Sequence, residues 1–190
     1  MIIVSGPPRS GTSLMMQILD AGGVDIFTDG VRPADVHNQL GYFEHEFVKQ
    51  MPEDNGWLHD VGDRAVKIVS HWIKFLPQDL TDVRVIMMTR DMDELYHSQQ
   101  TMRVKLGYEV EPKAEWMPVW GYHIQTALQF LRLRREYDGW RVLLVPYLSY
   151  AKQPGAVVEA VEELIGDLYP SLDTKAMKRC WRPNLHRSRG

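Results

Sequence analysis

The feature that most constrains the fold is the run from Ile2 to Ser13, where a short apolar segment leads through a loop into an amphipathic helix. Gly6 and Gly11 bracket this loop, with four residues between them. Glycine adopts left-handed backbone angles without a steric penalty, so successive N–H groups turn to one side, and the helix adds the positive end of its dipole. The sequence therefore predicts a phosphate-binding loop between a buried strand and a helix.

The loop differs at one position from the P-loop that binds nucleoside triphosphates. That motif, Gly-x4-Gly-Lys-[Ser/Thr], requires a lysine after the second glycine. Thr12 occupies the position here. In a triphosphate site, this lysine and Mg²⁺ neutralise the charge on the β- and γ-phosphates. The absence of the lysine therefore argues against a triphosphate ligand.

Apolar runs alternate with helical patterns along the rest of the chain. Strands are predicted at 24–27, 64–69, 83–89 and 140–145, a short helix before Pro52, and a long helix at 112–137. The apolar stripe predicted for the long helix consists of Trp116, Val119, Trp120, His123, Ala127, Phe130 and Leu131. Buried strands separated by helices predict an α/β fold, a three-layer doubly wound parallel sheet like that of the P-loop NTPases. With 190 residues and no linker, we expect one domain spanning 1–190.

Polar residues fall at or just beyond the ends of the predicted strands. In such folds the ligand binds at the carboxyl ends of the strands, so the glycine loop, Lys67, Arg90 and Tyr147 are expected to converge on one crevice. Arg90 ends a strand and Ser98 lies on the next helix. If the chain turns sharply after Arg90, the two contact one phosphate, by charge and by hydroxyl.

Together these residues resemble the sulfotransferase family, and in particular its small bacterial members. The segment Pro8, Arg9, Ser10, Gly11, Thr12 and Ser13 is similar to the family's 5′-phosphosulfate loop, with Arg9 where lysine is frequent. Arg90, with Ser98 eight residues later, matches the spacing of the family's 3′-phosphate site. Lys67 on a strand, Tyr147 near the adenine side, and the Gly-Tyr-Phe-Glu stretch at 41–44 are weaker similarities.

The resemblance implies a donor, a product and an acceptor class. The donor is 3′-phosphoadenosine 5′-phosphosulfate, and the product is adenosine 3′,5′-bisphosphate. Sulfuryl transfer builds negative charge on a single 5′-phosphate, which Arg9 and fixed N–H donors can stabilise without a metal ion. The acceptor is expected to be a hydroxyl or amine of a small molecule or glycan.

The acceptor must lose a proton as it attacks sulfur, which requires a general base. Many family members use a histidine in a Lys-Thr-His segment, but this chain reads Lys67-Ile68-Val69. A carboxylate is therefore favoured, as in the glycan-modifying branches. Glu44 is the first candidate, His71 the second and His45 the third. The predicted catalytic set is Glu44, His71, Lys67 and Arg9.

Two other functions stay open at this stage. One is a P-loop nucleotide or nucleoside kinase, against which Thr12 argues. The other is a non-catalytic phosphonucleotide-binding protein, which the missing strand histidine keeps open. The sequence predicts neither the identity of the acceptor nor the oligomeric state.

Charge and cysteine content bear on the compartment and partners. Cys180 is the only cysteine, the first strand begins at residue 2, and no apolar run approaches the roughly 20 residues of a membrane span. We therefore expect a cytoplasmic protein with no membrane partner.

The net charge of -3 gives no case for nucleic acid as a partner. The basic stretch at 175–190, with Arg182, Arg187 and Arg189, is either a solvated tail or a contact for an anionic ligand.

Overall fold

The chain folds around a parallel β-sheet with helices on both faces. The computed structural model describes residues 1–31 and 41–180. Within these residues the strands are β1 (Ile2–Gly6), β2 (Ile26–Phe27), β3 (Ala65–Val69), β4 (Arg84–Thr89) and β5 (Arg141–Pro146). They pair in the order β2-β3-β1-β4-β5, and every pairing is parallel. The predicted doubly wound α/β fold is confirmed.

The α-helices occupy the segments between and after the strands. They are α1 (Thr12–Ala21), α2 (Met92–Lys105), α3 (Lys113–Asp138), α4 (Tyr147–Lys152), α5 (Pro154–Ile165) and α6 (Thr174–Lys178) within the described residues. Short 3₁₀ helices cover Glu46–Gln50, Gly56–Asp60 and Ser70–Phe75. The short helix predicted before Pro52 is thus present as a 3₁₀ helix. None of the helices in the described ranges is both long and apolar enough to cross a bilayer.

Each face of the sheet has its own hydrophobic core, because successive side chains of a strand point to opposite faces. On the first face, Ile2 and Val4 of β1 pack with α1 and α5. On the second face, Ile3 packs with Ala127 and Leu131 of α3. We call these the α1 face and the α3 face. Val119, which was predicted in the apolar stripe of α3, is 50% exposed, so that prediction is wrong at this position.

The order of the sheet positions the candidate ligand loop. β1 is central, with β3 and β4 as its neighbours, so the segments that follow these three strands lie side by side at the carboxyl edge. β5 is next to β4, with Pro146 opposite Thr89. The glycine loop, Arg90 and Tyr147, which follow β1, β4 and β5, therefore lie at this edge.

Some predicted features lie outside the described residues. These are the basic residues Arg182, Arg187 and Arg189 of the C-terminal stretch, and most of the polar, turn-rich segment at 28–40, which the sequence marks as a candidate acceptor-side loop.

Candidate functional site

The glycine loop joins β1 to α1 in the conformation that an anion-binding loop requires. Backbone φ is positive at Gly6 (151°), Arg9 (75°) and Gly11 (100°), and Gly11 caps the start of α1. A Cβ atom at Gly6 would lie 2.6 Å from the carbonyl oxygen of Met88, and one at Gly11 would lie 2.6 Å from Cδ2 of Tyr147. Glycine is therefore required at both positions, for conformation and for space.

The start of α1 lies beside this loop and contributes its dipole to the site. A helix N-terminus attracts anions because its first N–H groups lack partners within the helix. The Ser10 hydroxyl is buried and makes no hydrogen bond within the described part of the chain. A buried hydroxyl of this kind is a ready donor for a phosphate oxygen. The residues of the loop thus fit a phosphate group.

Lys67 brings an ammonium group from β3 to the first turn of α1. Its Nζ donates to Ser13 Oγ at 3.1 Å, to the Tyr42 carbonyl at 2.8 Å and to Glu44 Oε1 at 3.0 Å. The lysine side chain is only 5% exposed. A buried ammonium requires such partners, because leaving water is costly without them. The structure therefore brings together three of the sequence-predicted residues: Lys67, Glu44 and Ser13.

Glu44 is held on its main chain as well as through its carboxylate. Thr28 Oγ1 donates to the Glu44 carbonyl at 2.8 Å. The Asp29 carboxylate accepts from the N–H groups of Glu46 and Val31 at 2.6 and 2.9 Å. Burial alone would raise the pKa of Asp29, but these two hydrogen bonds, the nearby His45 and the backbone N–H of Asp29 itself together lower the pKa. Sequence reasoning did not identify Thr28 or Asp29 as contacts of this segment, although the Asp29-Gly30 pair is typical of a turn.

Arg90 and Ser98 both contact Arg9 of the loop. Arg9 Nε donates to Ser98 Oγ at 3.3 Å, and Arg90 NH1 donates to the Arg9 carbonyl at 2.8 Å. Arg90 also pairs with Glu94 at 3.2 Å and lies 4.5 Å above the Tyr147 ring. Its side chain is only 4% exposed. The predicted pair thus adjoins the loop, with the Arg90 guanidinium buried against it.

Tyr147 is the first residue of α4, directly after β5. Its ring is partly buried beneath Arg90 and against Gly11. Burial raises the pKa of the Tyr147 hydroxyl, and the charges of Arg90 and Arg9 oppose that effect. A neutral aromatic ring at this position provides a flat apolar surface next to the phosphate loop. Its predicted contact with adenine stays a prediction.

Two further residues of α2 support the loop and were not among the predicted site residues. Gln99 Nε2 donates to the Pro8 carbonyl at 2.9 Å, and Gln99 Oε1 accepts from Trp116 Nε1 at 3.1 Å. Glu94 neutralises Arg90. The Glu94 contact has a sequence signal, since it lies four residues after Arg90 at the spacing of helical ion pairs. The Gln99 contact depends on how α2 packs and has no local signal.

The first two candidate bases lie on opposite faces of the sheet. Lys67 pairs in register with Val4, and its contact with α1 places Glu44 on the α1 face. His71 belongs to the Ser70–Phe75 helix, and its ring lies 6.0 Å from the Trp120 and His123 rings of α3. The third candidate, His45, lies 4.6 Å from the Phe27 ring, and its Nδ1 accepts from the Phe47 N–H. This arrangement makes His45 part of the Glu46–Gln50 helix start.

Burial lowers the pKa of His71 to about 4, with smaller contributions from His123 and Lys74. Its imidazole is therefore neutral near pH 7.

Among the described residues there is no cluster of three or more histidine, cysteine, aspartate or glutamate side chains that would hold a metal ion. Metal-independent chemistry stays a prediction.

The lowered pKa of His71 predicts a pH dependence of folding stability. Between about pH 6.5 and 4, the unfolded chain binds a proton at this residue that the folded protein does not. The free energy of unfolding should therefore fall as the pH is lowered through this window. Urea unfolding of wild type and His71→Asn at several pH values measures the effect. We expect a shallower slope for the variant, and equal slopes would contradict the lowered pKa.

Comparisons with known proteins assign no function to the chain. No protein-family model matches the sequence, and no curated protein matches it. Among solved structures, the chain is similar to the unliganded crystal structure of a sugar kinase from Janibacter sp. HTCC2649. The two are 10% identical, with a TM-score of 0.44, over 89% of this chain and 95% of that one. A similarity at this level carries no argument about function.

Proposed function

We propose that the protein is a sulfotransferase that uses 3′-phosphoadenosine 5′-phosphosulfate and needs no metal ion. The acceptor is a hydroxyl or amine of a small molecule or glycan. The observation that carries the proposal is the grouping of Arg9, Lys67 and Glu44 around a phosphate loop that has Thr12 in place of the P-loop lysine. This grouping supplies fixed cations for one phosphate and a carboxylate beside them.

Groups of the loop and of the segments around it hold the donor. The N–H groups of the loop and the Arg9 guanidinium bind the 5′-phosphate end, where charge builds during transfer. Tyr147 offers a ring surface for the base. Arg90 and Ser98 are proposed to bind the 3′-phosphate. For Arg90 this requires the guanidinium to move from its contact with Glu94, at 3.2 Å, towards the ligand.

Sulfuryl transfer requires one general base, which accepts the proton of the acceptor group. The donor supplies an activated sulfuryl group, whose bond to the 5′-phosphate oxygen breaks as the acceptor oxygen or nitrogen bonds to sulfur. Glu44 receives the proton that the acceptor loses, and Lys67, 3.0 Å from this carboxylate, stabilises negative charge on the phosphate side. Adenosine 3′,5′-bisphosphate leaves with the electron pair of the broken bond. His71 and then His45 remain the other candidates for the proton.

One observation favours the P-loop kinase as a second candidate function. Lys67 reaches Ser13 from β3 and so brings an ammonium to the first turn of α1, although Thr12 replaces the usual lysine. An ammonium near the phosphates is a component of phosphoryl transfer. The two functions differ in their donors, so a direct assay separates them.

Transfer of label from the donor tests the proposed function. The protein is incubated with sulfur-labelled donor, an excess of EDTA and a panel of phenols, alcohols, amines and sugars. We expect labelled product to form, and the rate to be unchanged when Mg²⁺ replaces EDTA. Transfer from γ-labelled ATP with Mg²⁺ would instead support the kinase. Binding of the bisphosphate without any transfer would identify a non-catalytic binding protein.

A further inference from the structure

The end of α2 and the segment that follows it form an exposed hairpin. The chain turns at Gly107, where φ is 84°. It then runs back along α2, since the Glu111 N–H donates to Gln100 Oε1 at 2.7 Å and the Glu111 carbonyl accepts from the Tyr96 hydroxyl at 2.8 Å. We call residues 103–111, around this turn, the tip.

The tip exposes an unusual amount of apolar surface. Four large apolar side chains within seven residues are each more than half exposed: Val104 (53%), Leu106 (54%), Tyr108 (62%) and Val110 (55%). In the rest of the described chain, no stretch of this length exposes more than two such side chains. Single exposed apolar residues are ordinary on a protein surface, but several together mark an interaction site.

The charges of the tip are arranged symmetrically about Gly107, with opposite signs on its two sides. Arg103 and Lys105 precede the glycine, and Glu109 and Glu111 follow it at the same distances along the sequence. Arg103 and Glu111 pair within the chain at 3.9 Å. Lys105 and Glu109 are exposed, and neither makes an ion pair with any residue that the structure describes. The turn therefore has one unpaired cation before it and one unpaired anion after it.

This arrangement is complementary to itself. In a two-fold symmetric contact, the same surface of two copies meets, so each position faces its counterpart in both directions. Two tips that meet across an axis near Gly107 place Lys105 of each copy opposite the partner's Glu109, with the apolar side chains between these pairs. An anionic bilayer attracts only the basic half of the tip and repels the acidic half. A second copy of the chain is therefore the occupant that fits both halves.

We propose that the tip is a self-association surface, through which two copies of this chain form a symmetric dimer. The apolar side chains of the two tips pack together, and two Lys105–Glu109 pairs form between the copies. The inference is independent of the proposed function. The patch is smaller than the roughly 800 Å² per partner of a standard interface, so we expect dissociation constants of roughly 1 to 100 µM.

Sedimentation velocity of the full chain, from about 1 to 500 µM, tests the proposal. We expect the wild-type protein to pass from monomer to dimer across this range. Leu106→Asp should weaken association by about 100-fold, because each dimer loses two central apolar contacts. Leu133→Asp is the matched control, since Leu133 is 45% exposed but lies near the end of α3, and it should associate like wild type. A wild-type protein that stays monomeric, or a Leu106→Asp variant that associates as well as wild type, would overturn the proposal.

Charge reversal tests the pairing between the copies. Lys105→Glu and Glu109→Lys each place like charges opposite one another, so each variant alone should associate about tenfold more weakly than wild type. An equal mixture of the two variants should recover the wild-type affinity, because both contacts of the mixed dimer again join opposite charges. A mixture that associates no better than the separate variants would refute the symmetric contact. Binding of a monomeric chain to phosphatidylserine vesicles through Leu106 would refute it as well, with the bilayer as the occupant.

Discussion

Replacing Glu44 by glutamine is expected to lower the rate of sulfuryl transfer by about 10²- to 10⁴-fold, the usual contribution of a general base. Glutamine has the same shape, and its amide oxygen can still accept from Lys67, which lies 3.0 Å from Glu44 Oε1. The loop and its cations should therefore remain in place. Affinity for adenosine 3′,5′-bisphosphate should stay close to that of wild type, so the loss falls on the chemical step. Initial rates with labelled donor and calorimetry on the same samples measure both quantities.

Glu46→Gln is the matched control for this variant. Glu46 lies two residues further along, and its exposed carboxylate pairs with Lys49 at 2.9 Å. Surface ion pairs of this kind contribute little, so the control should transfer at the wild-type rate. If Glu44→Gln is fully active, Glu44 is not the base. A comparable loss of rate in His71→Asn would then identify His71, on the α3 face, as the general base. A comparable loss in a His45 variant would identify His45, at the start of the Glu46–Gln50 helix.

Replacing Gly11 by alanine is expected to weaken binding of the bisphosphate by about 100-fold. The residue has φ of 100°, and the added methyl group would lie 2.6 Å from Cδ2 of Tyr147. The backbone must shift to relieve the contact, so at least one N–H donor moves away from the phosphate, and a hydrogen bond to a charged group contributes about 1.5 to 3 kcal/mol. Calorimetric titration of the variant gives the affinity directly.

Gly23→Ala separates the loop effect from backbone strain. Gly23 also has positive φ, at 85°, but nothing lies within 4 Å of an added Cβ. It follows α1 at the end away from the loop. This variant should lose about 1 kcal/mol of stability and bind the ligand like wild type. Wild-type affinity in Gly11→Ala would show that the loop does not hold the phosphate.

The fold was predictable from local patterns because the signals are strong and short in range. The buried run before Gly6 and the alternation of apolar strands with helices fix a parallel sheet with its ligand edge. The bounds shift by only one or two residues; for example, 140–145 is observed as Arg141–Pro146. Val119 was wrongly predicted to be buried, because α3 packs on the sheet along only part of its length. The periodicity of apolar residues does not show which part of a helix is covered by other elements.

The site was predictable only in part, since its contacts depend on tertiary packing. The sequence position of Lys67 predicted that it lies at the ligand edge. It did not predict the ion pair of Lys67 with Glu44, because Glu44 belongs to a distant segment of the chain. That Arg90 and Ser98 share a phosphate stays a prediction, whereas their contacts with Arg9 and the burial of the Arg90 guanidinium were not predicted. The conformation of a long side chain such as arginine depends on the residues packed around it, and the spacing of a motif does not specify those residues.

Isothermal titration calorimetry with adenosine 3′,5′-bisphosphate, ATP and GTP tests the central claim most directly. Each nucleotide is titrated with EDTA and again with Mg²⁺. A phosphate loop with Thr12 after Gly11 and cations from Arg9 and Lys67 should prefer the bisphosphate, with an affinity that Mg²⁺ leaves unchanged. Tighter binding of ATP or GTP that requires Mg²⁺ would contradict the account.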